Sequence, residues 1–295
     1  MLALIVTALW STSFVLTKIA LRSMGPLWLA FFRYESAGLV LALVSVPEVV
    51  AAARAVGLSR LAALGVLGYA IAQGPFVFAL SRLPASTALL VGTVTSVVVV
   101  TVLGMVFLDE RPTALSFGGI ALTVAGLALF AGVAPIGGID PAGAVAVTFS
   151  SIGYGGWLVL GRHMLHRGTS SRGVVAGSMT LGTLPLCAIA AAFEPPPPAD
   201  VSLLALIAWL AVVNTAVAFT LWAESQRGLR AYESNVLSNL VLVEASLLAF
   251  VFLAEPLGAP QWAGIGLVLA GVLLTQLRAS GPRPIVPEEL EEPLA

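Results

Sequence analysis

The chain has 295 residues, of which 59% are hydrophobic and only 10% charged, and its formal net charge is -1. A soluble domain carries roughly 25% charged residues, so the composition excludes one and describes a protein that crosses a membrane many times. No basic patch with interleaved aromatics supports nucleic-acid binding, and the single cysteine, Cys187, excludes an internal disulfide and a cysteine-based metal site.

A helix needs about 20 apolar residues to cross the hydrocarbon core. On that scale the sequence predicts ten spans, at 2–21, 27–46, 61–80, 85–108, 114–132, 142–161, 174–193, 201–223, 231–254 and 257–277. The first lacks a basic leader and a small-residue cleavage site, so it reads as a retained helix rather than a signal peptide. The connections leave no room for a soluble catalytic domain. Residues 133–140 form a linker, and 194–200 (EPPPPAD) read as a stiff polyproline spacer. The acidic, proline-rich tail 281–295 reads as disordered and cytoplasmic.

Residues 106–127 recur without a gap at 251–272, with ten of 22 positions identical. The matches include Glu110 with Glu255, Gly119 with Gly264, and Gly126 with Gly271. Glycines seven apart lie on one helix face and let another backbone come close. The chain therefore divides into a first repeat over 1–132 and a second over 141–280. With the N-terminus inside, ten arginines fall in cytoplasmic connections and the tail, and only Arg22 and Arg82 fall outside. Five spans per repeat is odd, so the second repeat inserts upside down relative to the first. The expected fold is an all-α integral membrane protein of two inverted five-helix repeats, with both termini cytoplasmic.

Several residues together resemble a known family. Trp10-Ser-Thr-Ser-Phe14, Lys18, Pro26 and Arg33 are similar to the opening of EamA-type transporters of the drug/metabolite transporter superfamily. Residues 83–87 (LPAST), 108–110 (LDE), Gly119 and Gly126 resemble that family's first repeat. Trp222, 229–231 (LRA), Asn239, 255–257 (EPL), Gln261, Gly264 and Gly271 resemble its second. The resemblance implies a ten-helix carrier of the bacterial inner membrane, an exporter of amino acids and other metabolites. It also implies a central cavity shared by the repeats, with the fifth and tenth helices peripheral, beside lipid or a second protomer of a homodimer. One departure is that the prolines common midway along the family's fourth and ninth helices are missing from 94–100 and 241–245.

Ionisable groups within spans are the sharpest functional signals, because each costs about 2.5–3.5 kcal/mol to insert. Glu244, near the middle of the ninth span, is the foremost candidate to bind a cationic group or a coupling proton; a protonated carboxyl bonded to a neighbouring helix is the alternative. Arg33 and Glu35 are two apart, so they face different ways and do not pair. For them structure and function weigh evenly. Lys18 is expected to snorkel to the interface. Trp10, Ser13, Tyr69, Gln73, Tyr154, Trp157, Asn214, Trp222 and Asn239 form a polar and aromatic set suited to a cavity wall, and Gln73-Gly-Pro75 should break the third helix. Glu110 and Glu255 read as hinge carboxylates at helix N-termini. His163 and His166 lack a third ligand, so no metal is expected, and nothing calls for a cofactor.

These features favour a secondary transporter of a small-molecule substrate, working by alternating access. With no Walker-type phosphate loop, a proton or the substrate gradient would drive it. A non-transporting receptor or assembly protein is the alternative. A lipid-modifying enzyme or protease would need an activated nucleophile, and Cys187 has no histidine close in sequence.

Overall fold

Lipid offers no hydrogen bonds to a bare backbone, so an apolar chain must close its own ladders as helices. The computed structural model describes residues 2–83, 85–108, 112–131, 140–165, 169–198, 200–241, 243–244, 247 and 258–276, and these are helical with no strand. Glu110, Glu255, His166, the linker 133–139 and the tail lie outside them, as does the side chain of His163. Six segments are long and apolar enough to cross a membrane: Leu2–Ala20, Pro26–Val44, Leu58–Arg82, Pro141–Arg162, Ser171–Phe193 and Val201–Ser225. Three shorter apolar helices join them, Val91–Phe107, Ala114–Leu129 and Ala259–Thr275. Part of the ninth expected span falls outside the described residues.

The helices are α1 (Leu2–Ala20), α2 (Pro26–Val44), α3 (Val46–Val56), α4 (Leu58–Gly65), α5 (Gly74–Arg82), α6 (Ala85–Phe107), α7 (Ala114–Ala131) and α8 (Pro141–Leu165). They continue with α9 (Ser171–Gly182), α10 (Leu184–Phe193), α11 (Val201–Ala211), α12 (Ala218–Ser225), α13 (Ala231–Ser238) and α14 (Ala259–Gln276). Proline sets the punctuation. It stands in the first turn of α2, α3, α5 and α10, where a missing N–H leaves no helical bond unmade. This is why the expected seventh span is two helices meeting at Thr183. The short helix α3 was not anticipated. It buries Ala52 and Val56 and ends at Gly57, whose φ of 93° turns the chain into α4.

Two of the long segments are not regular α-helix. Val66–Gln73, between α4 and α5, and Val212–Val217, between α11 and α12, are wound as π-helix. Shifting the first by the 145 residues that separate Glu110 from Glu255 lays it over the second. The Thr215 hydroxyl donates to Leu210 O, five residues back, at 2.8 Å, and so supports the wide turn.

α7 and α14 pack along their length around their own small core, which includes Leu127, Ile265, Val268 and Val272. A methyl on Gly126 would stand 2.7 Å from Gly264 O, and one on Gly271 would stand 2.6 Å from Gly119 O. The pair is therefore antiparallel, with backbone against backbone at both crossings. Exchanging the repeats turns one crossing into the other. The larger core joins α1, α2, α8, α9 and the two π-containing segments.

Candidate functional site

A cavity of about 190 Å³ lies between α1, α2, α5, α6, α8, α12 and the α13 region. On α1 it is lined by Trp10, Ser13, Phe14 and Thr17, so it runs from mid-helix towards the Ala20, Arg82 and Ala85 ends of its helices. Towards the opposite ends it is closed by rings. Phe219 is the hub, with centroids 5.3 Å from Trp10, 6.0 Å from Tyr34, 5.8 Å from Tyr69 and 5.7 Å from Trp157. Trp222 abuts Trp10 at 5.1 Å, and Tyr154 stacks on Trp157 at 5.8 Å. Beyond the layer, Arg227 ties α8, α9 and α12 together through Leu165 O, Thr169 O, Ser171 Oγ and the Glu224 carboxylate.

The π segments meet α2 at the cavity. Arg33 is 6% exposed. Its Nε donates to Thr215 Oγ1 at 2.8 Å, and its two terminal nitrogens donate to Thr17 Oγ1 at 3.3 Å and Asn214 O at 3.5 Å. The adjacent Tyr34 hydroxyl donates to Gln73 Oε1, at the end of the other π segment, at 2.7 Å. A π turn leaves backbone and side-chain groups displaced from the ladder, which is why such turns gather at functional sites.

Of the candidates chosen from sequence, Trp10, Ser13, Arg33, Gln73, Tyr154 and Asn239 line the cavity. Tyr69, Trp157 and Trp222 lie in the ring layer instead, and Asn214 bridges to α1 through Leu9 O and Thr12. Glu35 points away to Thr183 on the neighbouring span, so it does not pair with Arg33. Glu244 is also outside the lining. It accepts from Thr7 Oγ1 at 2.8 Å, while its Oε2 is buried with no partner among the described residues. Lys18 donates to Leu80 O and Leu83 O at the end of α5, where cationic caps are favourable.

Sequence reasoning passed over Thr17, Tyr34, Thr93, Ser96, Asn235 and Ser238, all of which line the cavity. Asn239 accepts from Thr93 Oγ1 at 3.3 Å. Its Nδ2 and the Oδ1 of Asn235 are buried without partners among the described residues. No group of three metal-ligating side chains occurs among those residues.

The chain matches the EamA-like transporter family over residues 1–132 and 141–277, so both matched stretches wall the cavity. It is 29% identical over 286 residues to the "Probable terminal-alkyne amino-acid exporter" of Streptantibioticus cattleyicolor, covering 95% of this chain and 94% of that protein. A solved crystal structure shares the fold with a TM-score of 0.74 at 21% identity, over 94% of this chain and 96% of the other. The chain belongs to the EamA-like transporter family and is a multi-pass membrane transporter.

Proposed function

We propose that the protein is a secondary-active exporter of amino acids or related small metabolites, working by alternating access between two inverted five-helix repeats. The carrying observation is a cavity built from both matched stretches and bounded by a packed ring layer. Carriers of this type bind substrate near the midplane at the repeat interface. The π segments in one register and the exchange-symmetric glycine crossings of α7 and α14 support the inverted arrangement. The name of the Streptantibioticus relative supports amino acids as cargo.

In this reading the arginine-rich ends and both termini are cytoplasmic, in a bacterial inner membrane. The observed state then has its inner side closed by the rings and by the Arg227 contacts, with the cavity in the outer half. Export requires those contacts to part. Glu244 is the coupling candidate, since one carboxylate oxygen has no partner among the described residues and can take a proton. The outer faces of α7 and α14 suit lipid or a second copy of the chain.

Solute counterflow in proteoliposomes tests the reading without assuming a driving ion. Wild-type protein should exchange members of a labelled amino-acid and metabolite panel. Glu244→Gln should keep exchange and lose pH-driven transport. Folded protein that exchanges nothing across the panel would refute the transport reading.

A further inference from the structure

The cavity has an unbalanced charge. Among the described residues Arg33 is the one charged residue in its lining, and no carboxylate accompanies it. The intramembrane carboxylates are engaged elsewhere, Glu35 with Thr183 and Glu244 with Thr7. Among the described residues no acidic group pairs with Arg33; its contacts are two hydroxyls, one carbonyl and the face of Tyr34, 5.1 Å from the guanidinium. A guanidinium carries five N–H donors. Three have partners here, which leaves one on each terminal nitrogen. A guanidinium with a donor left on each terminal nitrogen can take a carboxylate through two hydrogen bonds. A buried cation without a counter-charge is unfavourable, so the site favours an anion.

The rest of the cavity suits the remainder of an organic acid. Trp10, Phe14, Phe76 and Phe219 provide apolar surface. Asn235 and Asn239 line the cavity from the α13 region, and the Asn235 Oδ1 there is buried without a partner among the described residues. An amide oxygen accepts from an ammonium group without demanding a full counter-charge.

We propose that Arg33 is the carboxylate anchor of this cavity and that its cargo is a small organic acid, amino acids included, whose apolar part lies on the rings. This rests on the transport reading for its physiological meaning. The binding claim, however, is testable apart from transport.

The test uses wild-type protein in detergent, with thermal unfolding followed by a thiol-reactive dye on Cys187. Three matched sets are added, with leucine, phenylalanine and alanine side chains. Each set has the amino acid, its amide, the amine lacking the carboxyl group, and the acid lacking the amine. Both acids should stabilise the protein, and the amide and amine should need about 10- to 100-fold higher concentration, the range for losing charge-assisted hydrogen bonds. Because this comparison changes the ligand, it does not depend on a variant folding. Arg33→Gln should abolish the preference, and Arg33→Lys, which keeps charge but loses the fork, should restore part of it. Equal stabilisation by amides and acids, or none by any compound, overturns the anchor. Acid-selective stabilisation without counterflow upholds the anchor and refutes the transport reading alone.

Discussion

Replacing Gly126 by alanine tests how the two matched stretches are joined. The added methyl would sit 2.7 Å from Gly264 O and Val268 N, both backbone atoms of α14. Ordinary contact begins at 3.4 Å, so the helices must separate by roughly 0.7 Å, enough to forfeit a quarter to a half of each lost dispersion contact. Overpacking of this kind costs about 1–3 kcal/mol. Gly271→Ala, 2.6 Å from Gly119 O and Thr123 N, should cost about as much, because it strains the equivalent crossing. Once one methyl has spread the pair the second meets less resistance, so the double variant should cost less than the sum. Gly266→Ala on the same α14, with nothing near its added methyl, should be neutral or raise stability by about 0.5–1 kcal/mol through helix propensity. Thermal unfolding read by dye on Cys187 ranks all four proteins. Gly126→Ala as stable as wild type, or a strictly additive double, would refute the backbone-on-backbone crossing.

Two further substitutions probe the ring layer and the π segments. Tyr34→Phe removes the hydroxyl that donates to Gln73 Oε1 and should lower stability by about 0.5–1.5 kcal/mol, measured by the same unfolding assay. Gln226 is 3% exposed, and both its amide atoms lack partners among the described residues. Gln226→Met should therefore stabilise the observed state by about 1–3 kcal/mol and slow counterflow, by favouring the form closed at that end.

How much of this was legible in the sequence depends on whether a feature carries a cost or a period. The glycines of the repeat were readable because seven residues bring them onto one face, and they do meet backbone. Arg33 and Glu244 were readable because charge in a span is expensive. The hydroxyls were not. Ser96 can bond to Thr93 O and Ser151 to Val147 O within their own helices, so they cost little in any orientation and give no sign of which way they face. The π segments carry no fixed residue signal. Only the break at Pro75 was foreseeable, and the second segment has no proline at all. Helix α3 was missed because its 11 residues fall short of a span.

A common device meets three of the ionisable groups inside the spans. Arg33 is met by Thr17 and Thr215, Glu35 by Thr183 and Glu244 by Thr7, and all four threonines are buried. A hydroxyl can donate or accept, so it satisfies a carboxylate or a guanidinium without neutralising it, and the charge stays available to a ligand or a proton. Valine has the same shape and no such capacity. Thr7→Val should therefore cost about 1–3 kcal/mol, because it leaves both Glu244 oxygens without a partner among the described residues, whereas Thr7→Ser should be near wild type. Thr7→Val in a Glu244→Leu background should cost little, since the group that needed the hydroxyl is gone. If Thr7→Val were harmless beside Glu244, the hydroxyl would not be holding that carboxylate, and its pairing with the other three would lose its physical meaning.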